Sequence, residues 1–392
     1  MLNFDLYIPT RIIFGKDTHK DIGALLKPHT RKVLLHYGGS SIKKSGLYDE
    51  VLSSLKENHI EFAELGGVVP NPRLALVHEG ISLCKKEGVD LILAVGGGSV
   101  IDSAKAIAMG VFYDGDVWEV YEQRKAVTAA LPVATILTIP AAGSESSHGT
   151  VITNDEKHMK LGYESNCLRP LLSVINPDLF YTLPKNQIAN GVADMMSHIF
   201  ERYFTNTLHT DLTDSLCEAT LKTIMRNALL VMADPKDYDA WCQVGFGGTI
   251  AHNNLLGLGR TQDWACHGME HELSAIYDVA HGAGLAVLTP AWMRYVYKDN
   301  INMFVQFAVN VMGVEGSYRD PDSIVSEGIG RLQEFFIKLG LPATLSELGI
   351  DESKLELMAK KATGEAYGGG HPIGGLKKLY WQDVLEIYRL AR

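Results

Sequence analysis

The chain has 392 residues, of which 46% are apolar and 21% charged, and its net charge is −10. That length exceeds what one hydrophobic core supports and predicts two domains, and the modest charge excludes a disordered chain. An acidic balance without a basic stripe argues against nucleic acid as a partner, and no apolar run reaches the roughly 20 residues of a membrane span.

The chain opens on Met1-Leu-Asn-Phe-Asp-Leu-Tyr7, which has neither the basic stretch nor the apolar core of an export signal. Five cysteines (Cys84, Cys167, Cys217, Cys242 and Cys266) stand far apart with no Cys-x-x-Cys pair, the pattern of a reduced, cytoplasmic protein. Through the first half, strand and helix patterns alternate. Arg11–Phe14 is a short strand. Lys32–Tyr37 is a stronger one that runs into Gly38-Gly39-Ser40-Ser41. Residues 48–58 read as a helix and 60–65 as a strand. Leu74–Glu87 is helical, and 90–95 is an apolar strand that enters Gly96-Gly97-Gly98-Ser99. Residues 101–109 are helical, 134–139 form a buried strand, and 151–153 and 173–175 look like the last strands. This βαβα order implies a mostly parallel sheet covered on both faces.

The pattern changes near Tyr181-Thr-Leu-Pro184. Helix-period segments then dominate, at 185–204, 213–232, 238–256, 264–277, 285–298, 321–339 and 353–362. Thr182 can cap the first of them, with Pro184 in its first turn. The expectation is an α/β dinucleotide-binding domain over residues 1–180 and an all-helical metal-binding domain over 181–392.

Three glycine-rich loops leave the strands. Gly96, Gly97, Gly98 and Ser99 stand between a buried strand and a helix, where a close backbone approach and free helical N–H groups favour a phosphate. Asp102 and Lys105 sit on the first turns of that helix. The motif is neither Gly-x-Gly-x-x-Gly nor a P-loop, and the bland alternative is a tight turn. Gly38, Gly39 and Ser40 follow the earlier strand, at the place where an acidic residue would commonly bind the ribose 2′-hydroxyl. None is present, and Lys43 and Lys44 stand nearby, so the loop leaves room for a 2′-phosphate. The third loop carries Thr138 and Ser144, whose hydroxyls could face a cofactor.

The stretch from Trp264 to Gly282 holds His267, His271 and His281. His267 and His271 are four apart and share a helical face. On one straight helix His281 would lie about 21 Å from His267, at about 1.5 Å rise per residue. A metal needs its ligands roughly 2 Å away. Either His281 is unrelated, or the chain turns back near residues 277–279; the turn is the working expectation. Asp194 and His198 are also four apart, in a helix flanked by Val192, Met195, Met196 and Ile199. A buried aspartate there is costly unless paired or metal-bound. An Asp–His pair or an exposed face is the alternative. Together Asp194, His198, His267 and His281 offer one carboxylate and three imidazoles, a set that suits Zn²⁺ or Fe²⁺ rather than Mg²⁺ or Ca²⁺. His271 is left as a fifth ligand, a proton relay or a structural histidine.

Gly96-Gly97-Gly98-Ser99-x-x-Asp102-x-x-Lys105, the Gly143-Ser144-Glu145 loop, Asp194-x₃-His198 and His267-x₃-His271-x₉-His281-Gly282 together resemble the iron-containing (group III) alcohol dehydrogenases. Thr10-Arg-Ile-Ile-Phe-Gly15 and Asn176-Pro-Asp-Leu-Phe-Tyr-Thr-Leu-Pro184 are similar to the same family. Tyr37-Gly-Gly-Ser-Ser-Ile-Lys-Lys44, Pro70-Asn-Pro72 and the C-terminal Gly374-Gly-Leu-Lys-Lys-Leu look like its butanol dehydrogenase and NADPH-dependent aldehyde reductase branch. The resemblance implies a dehydroquinate synthase-like architecture, with an α/β nucleotide-binding domain followed by an all-helical one. It makes Asp194, His198, His267 and His281 the ligands of one divalent metal, Fe²⁺ or Zn²⁺. It makes Gly96 to Ser99 the pyrophosphate loop, places Thr138, Ser144, Lys160 and Leu179 along the cofactor, and sets His271 near the nicotinamide as a non-ligand. Ala141 and Ala142 stand where the family often has threonine, and His148 has no assigned role.

The implied reaction moves hydride between NAD(P)H, with NADP(H) favoured, and a small aldehyde or primary alcohol, with His271 handling a proton. A homodimer or higher homo-oligomer is implied as well. Rival readings are a glycerol-type dehydrogenase on the same scaffold, or a nicotinamide- or metal-binding sensor without turnover. A dehydroquinate synthase would need basic residues near the histidines, and none is seen.

Overall fold

Short runs rich in leucine, valine and isoleucine, bounded by turn residues, form the strands of the first half. The computed structural model describes residues 1–392. In it the chain divides into two compact units, Tyr7–Leu183, and Met1–Leu6 together with Pro184–Arg392.

The strands of the first unit are β1 (Arg11–Phe14), β2 (Lys32–Tyr37), β3 (Glu61–Leu65), β4 (Leu91–Gly96), β5 (Val133–Leu137), β6 (Gly149–Asn154), β7 (Met159–Glu164) and β8 (Leu172–Ile175). Six of them make one sheet in the order β1-β8-β5-β4-β2-β3, and every pairing in it is parallel. Every residue of β4, β5 and β8 is buried, as expected of a parallel sheet covered on both faces. The helices between the strands are α1 (Ile22–Leu26), α2 (Ser41–Lys44), α3 (Leu47–Glu57), α4 (Leu74–Glu87), α5 (Gly98–Phe112) and α6 (Trp118–Gln123). Val33, Leu35, Leu93, Val95, Ile136 and Val174 line one face of the sheet and pack on Val51 and Leu55 of α3.

One expectation needs correcting here. Residues 151–153 are not a last strand of the main sheet. They belong to β6, which pairs antiparallel with β7 as a separate ribbon. The β7 sequence Met-Lys-Leu-Gly-Tyr-Glu contains glycine and no β-branched residue, so local preference does not reveal it.

After β3 the chain returns to the other side of β2 to lay down β4. Its direction along the sheet thus reverses between β2 and β4, and open α/β sheets bind ligands at the carboxyl ends of strands flanking such a reversal. Tyr37 stands opposite Val95 and Gly96 opposite Leu137. The loops after β2, β4 and β5 therefore leave the sheet side by side.

The second unit is built from α7 (Lys185–Tyr203), α8 (Asp211–Ala233), α9 (Tyr238–His252), α10 (Ala265–Tyr277), α11 (His281–Val296), α12 (Ile301–Asn310), α13 (Pro321–Lys338), α14 (Leu355–Ala362) and α15 (Trp381–Leu390). Asp237 and Asp320 cap α9 and α13 by accepting the Ala240 and Ser323 amides at 2.9 and 3.1 Å. Thr182 does not cap α7; Pro184 holds the N-cap position, without a side-chain bond. Aromatic packing fills the interior, with Phe204 stacked on Phe304 at 4.4 Å between ring centres and edge-on to Trp292 at 5.7 Å. No helix is long and apolar enough to cross a membrane.

The chain leaves α10 at Asp278, which takes the left-handed conformation with φ 52°, and α11 begins at His281 rather than at residue 285. His281 therefore sits in the first turn of a helix. Next to it, a Cβ on Gly282 would fall 2.0 Å from the Asn190 carbonyl oxygen of α7. Only glycine lets α11 start so close to α7.

Candidate metal centre and nucleotide loops

Three helices bring the four candidate ligands together. Asp194 and His198 lie on consecutive turns of α7, His267 is in the first turn of α10, and His281 opens α11. The Asp194 Oδ1 atom is 3.3 Å from His198 Nδ1, 3.9 Å from His267 Nε2 and 3.8 Å from His281 Nε2. Ligands at about 2.0–2.2 Å from a tetrahedral ion stand about 3.3–3.6 Å apart, close to this spacing. Asp194 Oδ1, His198 Nδ1 and His267 Nε2 are buried and have no hydrogen-bond partner. Leaving such atoms unsatisfied costs about 1–3 kcal/mol each, and a divalent cation between Asp194 and His267 would satisfy two of them. The donor set and its orphaned atoms thus fit Zn²⁺ or Fe²⁺.

Two glutamates escaped sequence reasoning. Glu201 lies on α7, three residues beyond His198. Its Oε1 accepts the Nδ1–H and the backbone N–H of His267, both at 3.0 Å, and its Oε2 accepts the Trp264 amide at 2.7 Å. Glu270 lies on α10, three residues beyond His267, and its carboxylate takes the Nδ1–H of His281 and the Ser274 hydroxyl. Both glutamates are buried. Their spacing from the histidines was the available signal, but an acid on a helix usually means a solvated face.

A cation also borders the site. The buried Arg202 guanidinium donates to the His198 carbonyl at 2.7 Å and lies over the Trp264 ring at 4.7 Å. The His252 ring packs on His198 with ring centres 4.0 Å apart. Burial pushes the His198 imidazole well below its ordinary pKa, and the charges of His267 and Arg202 add to this. Burial also acts against His267 cation formation, but the Asp194 and Glu201 carboxylates outweigh it and lift His267 to about 9. His271 is half-buried one turn beyond His267, with its ring centre 5.8 Å from that of His281. Asp194, His267 and His281 form one close group, His198 stands beside it through Asp194 at 3.3 Å, and Glu270, His271 and His281 form a second group that shares His281.

In the first unit, α5 begins at Gly98, inside the glycine loop. None of Gly96, Gly97 or Gly98 has a positive φ. Added Cβ atoms would instead strike Val100 at 2.5 Å, Ile139 at 2.9 Å and Ala142 at 2.9 Å respectively. The glycines are there for close packing of this loop on its neighbours. Ser99 and Asp102 follow on the first turns of α5, half-buried. Thr138 donates its amide to the Gly96 carbonyl at 3.0 Å, which joins the loops after β4 and β5. Gly38 is half-buried at the end of β2, while Gly39 and Ser40 are exposed.

Other cofactor candidates have partners inside the protein. The Ser144 hydroxyl donates to Asp102 at 2.5 Å, and the Val151 amide donates to the same carboxylate at 3.0 Å. The fully buried Lys105 ammonium donates to the carbonyls of Ser144, Ser147 and Gly149 at 2.7, 3.0 and 2.9 Å. Burial lowers its pKa to about 8, against the charges of Asp102 and Glu145. Asp102 and Lys105 therefore anchor the 144–151 segment to α5. Lys160 lies buried on β7 opposite Thr153. Leu179 packs against the core of the sheet. His148 Nε2 stands 3.3 Å from the Glu164 carboxylate.

Comparison with known proteins follows the same division of the chain. The family of iron-containing alcohol dehydrogenases matches residues 9–177, and the C-terminal family of Fe-containing alcohol dehydrogenases matches residues 188–391. NADH-dependent butanol dehydrogenase A of Clostridium acetobutylicum is 45% identical over 390 residues, 99% of each chain. NADPH-dependent aldehyde reductase YqhD of Escherichia coli is 36% identical over 365 residues, 92% of this chain and 93% of that one. The crystal structure of NADH-dependent butanol dehydrogenase A from Thermotoga maritima superposes with a TM-score of 0.95 at 41% identity, covering 100% of this chain and 99% of that one. Matched along its whole length in sequence and in fold, the chain belongs to the iron-containing alcohol dehydrogenases and is an alcohol and aldehyde oxidoreductase.

Proposed function

We propose that this protein transfers hydride between a nicotinamide dinucleotide and a short- to medium-chain aldehyde or primary alcohol, such as butanal and butanol. The observation that carries the reading is the convergence of three imidazole nitrogens on Asp194 Oδ1 within 3.9 Å. Residues 184–392 form the metal-binding domain in this reading, and Asp194, His198, His267 and His281 hold one divalent ion, Fe²⁺ or Zn²⁺. Residues 7–183 form the dinucleotide-binding domain, with Gly96 to Ser99 and the start of α5 receiving the pyrophosphate. When bound, the metal polarises the carbonyl oxygen as a Lewis acid and the reduced nicotinamide supplies the hydride. His271 exchanges the proton of the hydroxyl group, and no protein nucleophile is required. Thr138, Ser144, Lys160 and Leu179 line the cofactor.

The loop at Gly38, Gly39 and Ser40 has no acidic side chain to repel a 2′-phosphate, which supports NADP(H). Relatives named as NADH-dependent weigh toward NAD(H). Five free thiols suit a reducing cytoplasm, and the resemblance to the family supports a homodimer or larger homo-oligomer. The test combines metal analysis of protein purified without added metal with oxidation of NADPH and NADH in the presence of butanal. Wild-type protein should carry one metal per chain and turn over. His267→Ala should lose both. Full activity in metal-free protein would overturn the reading, and bound metal without turnover on any aldehyde or polyol would favour a sensor.

A further inference from the structure

We propose that Glu201 and Glu270 are positioning residues that hold His267 and His281 as Nδ1–H imidazoles, with Nε2 of each turned toward Asp194. This inference rests on the metal reading above. Each glutamate meets one of the two histidines at the ring nitrogen that faces away from Asp194. A carboxylate only accepts, so the proton of a neutral ring must sit on Nδ1 and the lone pair on Nε2. Such a partner also makes the imidazole a stronger donor to a metal.

The two glutamates are held differently. Glu201 also accepts the backbone amides of Trp264 and His267 at the start of α10, so replacing it disturbs the helix as well as the ring. Glu270 accepts the Ser274 hydroxyl on its own helix and the ring of His281. Its seat exists because residue 284 is glycine: a Cβ there would lie 2.8 Å from the Glu270 Cγ and 3.1 Å from its Oε1. Glu270→Gln removes the charge and keeps the shape, while Gly284→Ala keeps the charge and shifts the carboxylate. Neither replaces any of the four ligands.

The experiment is Co²⁺ titration of the full-length, metal-stripped chain, read by visible absorption and by competition with a chelator. Wild-type protein and His267→Ala run alongside as references. Glu270→Gln should bind one Co²⁺ about 10–100-fold more weakly than wild type, with shifted absorption bands. Gly284→Ala should weaken binding in the same direction, and Glu201→Gln should do so with a lower thermal midpoint of the stripped protein. Wild-type affinity and an unchanged spectrum in Glu270→Gln and Gly284→Ala would overturn the inference. Complete loss of the site in Glu270→Gln, as in His267→Ala, would overturn it too, by making Glu270 a ligand. If wild-type protein itself took up no Co²⁺, the metal reading would fail instead.

Discussion

An aspartate introduced at position 39 would meet nothing within 4 Å of its Cβ, and the backbone there is not left-handed. Gly39→Asp is therefore a change of charge with little change of structure. It should disfavour NADP(H) relative to NAD(H) by about tenfold in kcat/KM, since about 1.4 kcal/mol of repulsion corresponds to that factor. Steady-state kinetics with both cofactors check it, and an unchanged ratio would remove the loop from cofactor choice. At this scale the four proposed ligands stood out because Asp194 and His198, and His267 and His271, are four apart on apolar helices, and the distance a metal tolerates then drew in His281. Glu201 and Glu270 were not legible. Acids on helices are ordinary, and what sets these two apart is burial against His267 and His281, which depends on how three helices pack. The bond between Ser144 and Asp102 was not legible either, because it comes from a loop that folds back on α5.

Among the elements, the continuous apolar strands β4, β5 and β8 were easily read, and the ribbon β6–β7 was not. The helix α12, with sequence INMFVQFAVN, also escaped, although Asn302, Gln306 and Asn310 recur every fourth residue and mark one polar face. The turn between α10 and α11 followed from the distance a metal tolerates, but the start of α11 at His281 depends on Gly282 fitting under the Asn190 carbonyl. Strand β2 carries a titratable tie. His36 Nδ1 donates to the Leu65 carbonyl of β3 at 2.8 Å, and its Nε2 faces the Ser103 hydroxyl of α5 at 2.9 Å. Burial lowers its pKa from 6.5 to about 4. Between those values the unfolded chain takes up a proton that the folded chain refuses, so stability falls as pH drops. From pH 7 to pH 5 this one group should withdraw about 2 kcal/mol. Urea unfolding at the two pH values should show a smaller loss in His36→Gln than in wild type. An equal loss would assign the pH dependence elsewhere.

For the whole molecule, the proposed ligands all come from residues 184–392, so metal and nucleotide should stabilise different parts of the chain. Stripping the metal with a chelator should speed amide exchange in α7, α10 and α11 and leave β2, β4 and β5 unchanged. A site filled at a hundred times its dissociation constant contributes about 2.7 kcal/mol, so protection there should fall roughly a hundredfold. Hydrogen exchange followed by mass spectrometry checks this, and equal loosening of the sheet would contradict it. The pairing of the first residues matters in time as well. The Leu2 amide donates to the Gly259 carbonyl at 2.7 Å, and the Met1 amine to the Leu208 carbonyl at 2.6 Å. A ribosome adding about 5–20 residues per second makes Leu2 on the order of tens of seconds before Gly259. In that interval the six strands of the parallel sheet, which pair only with one another, can complete their sheet. Leu2 thus waits for a partner made 257 residues later before it can take its place.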